Sequence, residues 1–140
     1  MTFNETGFRF VCLRLNGKGT RLSVRSVAAV SVYGDIPYIG SFSCSDETLN
    51  KIYDTAAYTC GLCLQNYIWD GIKRDRLVWV GDIHPEMLTV RSVFGSIPLM
   101  EKTLEYIKEA TPLPDWMNNM PTYSFWWLII VRDWYFYTGS

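Results

Sequence analysis

The stretch SDETLNKIYDTAAYTCGLCLQNY, residues 45–67, decides the fold. Leu49, Ile52, Tyr53, Ala56, Ala57, Cys60, Cys63, Leu64 and Tyr67 recur at three- and four-residue steps, the period of a single apolar face on a helix. Ser45 stands where an N-cap would, and Asp46 and Glu47 fall in the first turn, where the helix dipole favours negative charge. The spacing predicts one amphipathic helix of about six turns.

Upstream the period changes to two. Phe8, Phe10 and Cys12 alternate with Arg9, Val11 and Leu13, and after Asn16-Gly17-Lys18-Gly19 the run Leu22, Val24, Ser26, Ala28, Val30, Val32 continues the alternation. Two β-strands joined by a Gly-rich turn are expected, a pair too small to be stable without further strands. The segment from Tyr33 to Ser43, with Ile36-Pro37 and Gly40, reads as a linker. Downstream, a second helix is expected from Pro85 to Phe94, because proline suits the first helical position. A third should span Pro98 to Glu109 and stop before Pro112-Leu113-Pro114, and a fourth should run from Tyr123 to Tyr137. The chain is thus mainly α, divided as residues 1–33 (strands), 34–44 (linker) and 45–140 (helices).

Composition narrows the function. Thirteen basic against fourteen acidic residues leave a net charge of -1, which excludes a broad electrostatic grip on nucleic acid. Apolar residues make up 49% and charged ones 19%, so the chain has a core to bury. The most apolar window, Tyr123 to Val131, falls short of the roughly 20 residues a membrane span needs, and no membrane insertion is expected. Met1 to Asn16 lacks the basic, apolar and small-residue order of an export signal. The 16% of aromatic residues supply rings that fill cores and also stack on flat ligands such as sugar faces.

The stretch Trp69-Asp70-Gly71-Ile72-Lys73-Arg74-Asp75-Arg76-Leu77-Val78-Trp79-Val80-Gly81-Asp82 follows no regular period, yet gathers three aspartates, two arginines and two tryptophans. Carboxylates beside arginines stay ionised and hold hydroxyls by charge-assisted hydrogen bonds, whereas a carboxyl pressed against an indole is pushed toward the protonated state of a general acid. A structural salt-bridge network is the bland alternative.

The run Asp70-x-x-x-Arg74-Asp75-Arg76-x-x-Trp79-x-Gly81-Asp82 resembles the catalytic loop of bacterial α-L-rhamnosidases, inverting glycoside hydrolases built on an (α/α)6 toroid behind β-sandwich domains. His84-Pro85-Glu86, Thr111-Pro112-Leu113-Pro114-x-Trp116-Met117 and Arg132-Asp133-Trp134-Tyr135 are similar to rhamnosidase-like sequences too. The resemblance implies that residues 1–33 are the last strands of a sandwich and 45–140 the first helices of the toroid. It makes Asp70 and Asp82 hydroxyl-binding carboxylates, Trp79 a pocket wall and a rhamnose-containing glycoside the substrate, with no cofactor. The family places Asp-Glu between two arginines, with the glutamate as general acid. Here only Asp75 stands between Arg74 and Arg76, and Gly71-Ile72 replaces the Cys-Pro of many members. Asp75 is therefore the candidate acid, one methylene shorter than glutamate, and Arg74 the residue that sets the charge of its neighbours. The base lies on a later helix, so the resemblance implies a fragment holding the acid side alone, inactive in isolation. Six hairpins at about 34 to 47 residues each would exceed the stretch 45–140. The exposed flanks of such a fragment predict self-association. The alternative is a non-catalytic carbohydrate-binding or interaction protein that kept the aromatic, acidic loop.

Other candidates weigh less. Cys60-Gly61-Leu62-Cys63 lies within a helix without a second pair, and His84 is the lone histidine, so no metal site is expected. The four cysteines read as free thiols. Trp126-Trp127 and Trp134 sit at helical spacing and read as core, whereas Trp116, near two prolines, is the better ligand contact.

Overall fold

The computed structural model describes residues 2–140 and contains four α-helices: α1 (Glu47–Cys63), α2 (Val80–Val93), α3 (Pro98–Glu109) and α4 (Pro121–Thr138), with a 3-10 turn at Met117–Asn119. Asp46, rather than Ser45, caps α1, its carboxylate accepting from the Thr48 and Leu49 amides. The helix ends at Cys63, a turn before the expected Tyr67, because Leu64 and Ile68 turn inward to 1% and 0% exposure and pair across a short reversal. The Thr103 hydroxyl fixes that reversal to α3, accepting from the Ile68 amide at 3.1 Å and donating to the Leu99 carbonyl at 2.7 Å.

The start of α2 differs most from expectation. It begins at Val80, and Pro85 lies inside it rather than at its first position. The first amide of the helix, that of Val80, is held by a side chain from far downstream, as described below. The apolar spacing Ile83, Met87, Val90 faces the core, where α2 packs on α1 through Ala57 and Cys60 and on α4 through Ile130 and Trp134. Truncating a core residue such as Met87, wholly buried, costs about 2–5 kcal/mol. α3 occupies its expected range, with Pro98 in its first turn and Met100, Leu104 and Ile107 inward. The Trp127 indole donates to the Leu104 carbonyl at 3.0 Å, tying α4 to α3.

Among the described residues the two expected strands form no ladder. Residues 8–32 lie almost entirely in solvent, with Phe10 at 86% and Val30 at 85% exposure. Alternating apolar residues have no sheet here against which to bury one face, and a lone hairpin does not compensate for the entropy of ordering it. The linker does dock, since the amides of Ile39 and Gly40 both donate to the Val93 carbonyl at the end of α2. A Cβ on Gly40 would collide with the Ser92 carbonyl, so only glycine permits that approach.

Candidate functional site

Asp70 organises the irregular stretch between α1 and α2. Its Oδ2 accepts from the Asp75 amide and its Oδ1 from the Leu77 amide, both at 2.9 Å, while its own amide donates to the Leu77 carbonyl at 3.1 Å. An aspartate favours this arrangement because its short carboxylate reaches nearby backbone amides that no helix or sheet satisfies.

The loop's far end is held from another element. Asn118, in the left-handed region at φ 52°, donates through Nδ2 to the Val78 carbonyl at 2.9 Å and accepts the Val80 amide on Oδ1 at 3.0 Å. One side-chain amide thus brackets Trp79, whose ring meets Tyr123 edge-on with centroids 5.9 Å apart. The close approach of α2 to that tyrosine is why residue 81 is glycine: a Cβ there would lie 2.7 Å from the ring.

The sequence-predicted residues are not all gathered in one concavity. Asp70 lines a groove of about 610 Å³ between α1 and α2, together with Thr55, Thr59, Cys60, Cys63, Glu86 and Thr89. Asp75 and Arg74 sit at the loop's tip, 3.7 Å apart, with side chains 52% and 90% exposed. Arg76 turns the other way, to the Glu5 carboxylate and carbonyl. Asp82 is exposed in the first turn of α2, Trp79 is half-buried outside the groove, and Trp116 is half-exposed ahead of the 3-10 turn. His84 faces α4, with Nε2 3.5 Å from Asp133 and its ring on Trp126.

Glu86 was not among the sequence candidates. Four residues after Asp82, it lies one turn further along α2, a spacing legible in the sequence once the helix is known to start at Val80. Burial pushes its carboxyl up to about 8, and the charges of Asp82 and Asp70 push the same way. Its Oε2 is sealed from solvent without a hydrogen-bond partner. The thiols of Cys60 and Cys63, on the facing wall, are raised to about 12 and about 11, chiefly by burial and next by Glu86. Among the described residues no group of histidines, cysteines and carboxylates is arranged to hold a metal ion.

Residues 37–139 match the bacterial alpha-L-rhamnosidase 6 hairpin glycosidase domain. An alpha-L-rhamnosidase of Formosa agariphila is 32% identical over 123 residues, covering 88% of this chain and 13% of that protein. The crystal structure of a GH78 family rhamnosidase of Bacillus sp. GL1 superimposes with a TM-score of 0.65 at 29% identity, covering 75% of this chain and 12% of that one. The chain therefore spans about an eighth of the length of these relatives.

Proposed function

The chain belongs to the bacterial α-L-rhamnosidase family of six-hairpin glycosidase domains, and from that premise we propose that residues 70–82 form one wall of a pocket that hydrolyses terminal α-L-rhamnosides with inversion. The observation that carries the proposal is the double hold of Asp70 on residues 75 and 77. It ties the loop tip that carries Asp75 to Asp70, a residue that itself lines the groove between α1 and α2.

In this mechanism Asp75 protonates the leaving glycosidic oxygen in one step, while a base contributed by another part of the protein activates water on the opposite face. Inversion requires the two carboxyls about 6.5 to 9.5 Å apart, leaving room for that water. Asp70 and Asp82 accept sugar hydroxyls, Arg74 sets their charge, and Trp79 and Trp116 supply apolar walls for the deoxysugar. Residues 1–33 are then the end of a preceding sandwich, 34–44 the linker, and the 140 residues alone, lacking the base, are inactive.

The test is Asp75→Asn in the full-length protein. Hydrolysis of a rhamnoside with a poor leaving group should fall by about 10²–10⁴, and that of an activated aryl rhamnoside far less, because only the former needs a proton. Equal loss on both, or none, removes Asp75 from the role. The 52% exposure of its side chain favours a second reading, a carbohydrate-binding protein without catalysis. Binding of L-rhamnose by a full-length protein that cleaves neither substrate would establish that reading.

A further inference from the structure

The groove between α1 and α2 contains a residue that the mechanism above does not use. We propose that Glu86 contacts the substrate, donating a hydrogen bond to an oxygen of a saccharide lodged in the α1–α2 groove beside Asp70. The inference rests on the proposed glycosidase reading and adds a ligand-binding residue in the groove that Asp70 lines.

The groove, about 610 Å³, is of the size that holds a small organic ligand. Glu86 is among its walls, and its Oε2 is sealed from solvent without a hydrogen-bond partner. An ionised carboxyl would leave charge on a sealed, unpartnered oxygen, which is costly. The two neighbouring carboxylates act in the same direction. Asp82 on its own helix and Asp70 on the loop repel a further negative charge, and the Cys60 and Cys63 thiols on α1 are neutral. Lys51 lines the same groove, yet among the described residues no cation lies within ion-pairing distance of Glu86. With its carboxyl raised to about 8, Glu86 is mostly protonated at neutral pH, and its Oε2 has no hydrogen-bond partner in the protein.

Asp70 lines the same groove, and its carboxylate oxygens accept hydrogen bonds. A donor and an acceptor on the walls of one groove match the sugar hydroxyl, which both accepts and donates. The hydroxyls of Thr55, Thr59 and Thr89 are already committed to carbonyls of their own helices, which leaves their lone pairs as further acceptors along the groove.

The test uses the full-length protein, L-rhamnose as the calorimetric probe, and the variants Glu86→Gln and Glu86→Leu. Glu86→Gln keeps a donor and should bind within about threefold of wild type, while Glu86→Leu should bind about tenfold more weakly. Wild-type affinity should fade above pH about 8, where the acid ionises, and that of Glu86→Gln should not. Leucine and wild type binding alike, or glutamine and wild type fading alike with pH, overturns the inference; the second comparison decides even if the leucine variant does not fold. Lower melting temperatures with unchanged affinity would make Glu86 a packing residue and overturn it equally. A wild-type protein that neither binds L-rhamnose nor cleaves an aryl rhamnoside fails in the glycosidase reading itself, and the inference falls with it.

Discussion

Asp70 and Leu77 hold each other reciprocally: the Asp70 amide donates to the Leu77 carbonyl at 3.1 Å, and the Leu77 amide to the Asp70 carboxylate at 2.9 Å. A segment carrying Arg74, Asp75 and Arg76 is thereby closed into a loop whose shape depends on one carboxylate.

Asp70→Ala removes two charge-assisted bonds, each worth about 1.5–3 kcal/mol where shielded and less in solvent. The amides of Asp75 and Leu77 should lose hydrogen-exchange protection while those of α3 keep theirs. Protection retained at 75 and 77 would show that the loop holds itself.

Asn118→Ala leaves the Val78 carbonyl and the Val80 amide without partners, at a cost of about 1–3 kcal/mol. Urea unfolding should report that loss. Asn118→Asp, which keeps the acceptor for Val80 and gives up the donor to Val78, should recover part of it.

Gly81→Ala sets a methyl 2.7 Å from the Tyr123 ring, so α2 or α4 must shift. Overpacking of this kind costs about 1–3 kcal/mol. The pairing Gly81→Ala with Tyr123→Leu should be less destabilised than the sum of the single changes, as measured by thermal melts.

The Glu86 carboxyl is pushed up to about 8 in the folded chain from an ordinary value of 4.5, first by burial and then by Asp82 and Asp70. The unfolded chain ionises first, so this group's contribution is fully present below pH about 4.5 and is lost as pH rises to about 8. Melting temperature should therefore fall across that window in wild type and fall less in Glu86→Gln.

Cys60 and Cys63 are buried with raised pKa values, whereas Cys12 is exposed. Iodoacetamide at pH 8 should modify Cys12 rapidly and leave the α1 pair unreacted until denaturant is added, as peptide mass mapping would record.

Local chemistry made α3 and α4 legible. Pro98 and the prolines after Glu109 bound the one, and the other is a long run of mostly apolar residues starting at Pro121. The same local signal misplaced the start of α2, because Pro85 reads as a first-turn residue when only neighbours are considered. The side chain that satisfies the first amide of α2 belongs to Asn118, 38 positions from Val80, and no short window of sequence contains both. Glu86 was missed for a related reason, since its alignment with Asp82 exists only on a helix that begins at Val80. Asp70 was found because the clustering of charge around it is local, but its bonds to the amides of 75 and 77 depend on backbone geometry that residue types do not encode. The strands expected over residues 8–32 had the correct alternation without a sheet to join.

The bracket around Trp79 has a consequence for how this domain tolerates change. The position of that indole is set by the turn ahead of α4, so lengthening or shortening residues 110–117 would drag the tryptophan even though the loop bearing it is untouched. Variation in a distant connection is thereby converted into altered shape near Asp82, a route by which related domains could diverge in the ligands they admit while their 70–82 segments stay alike.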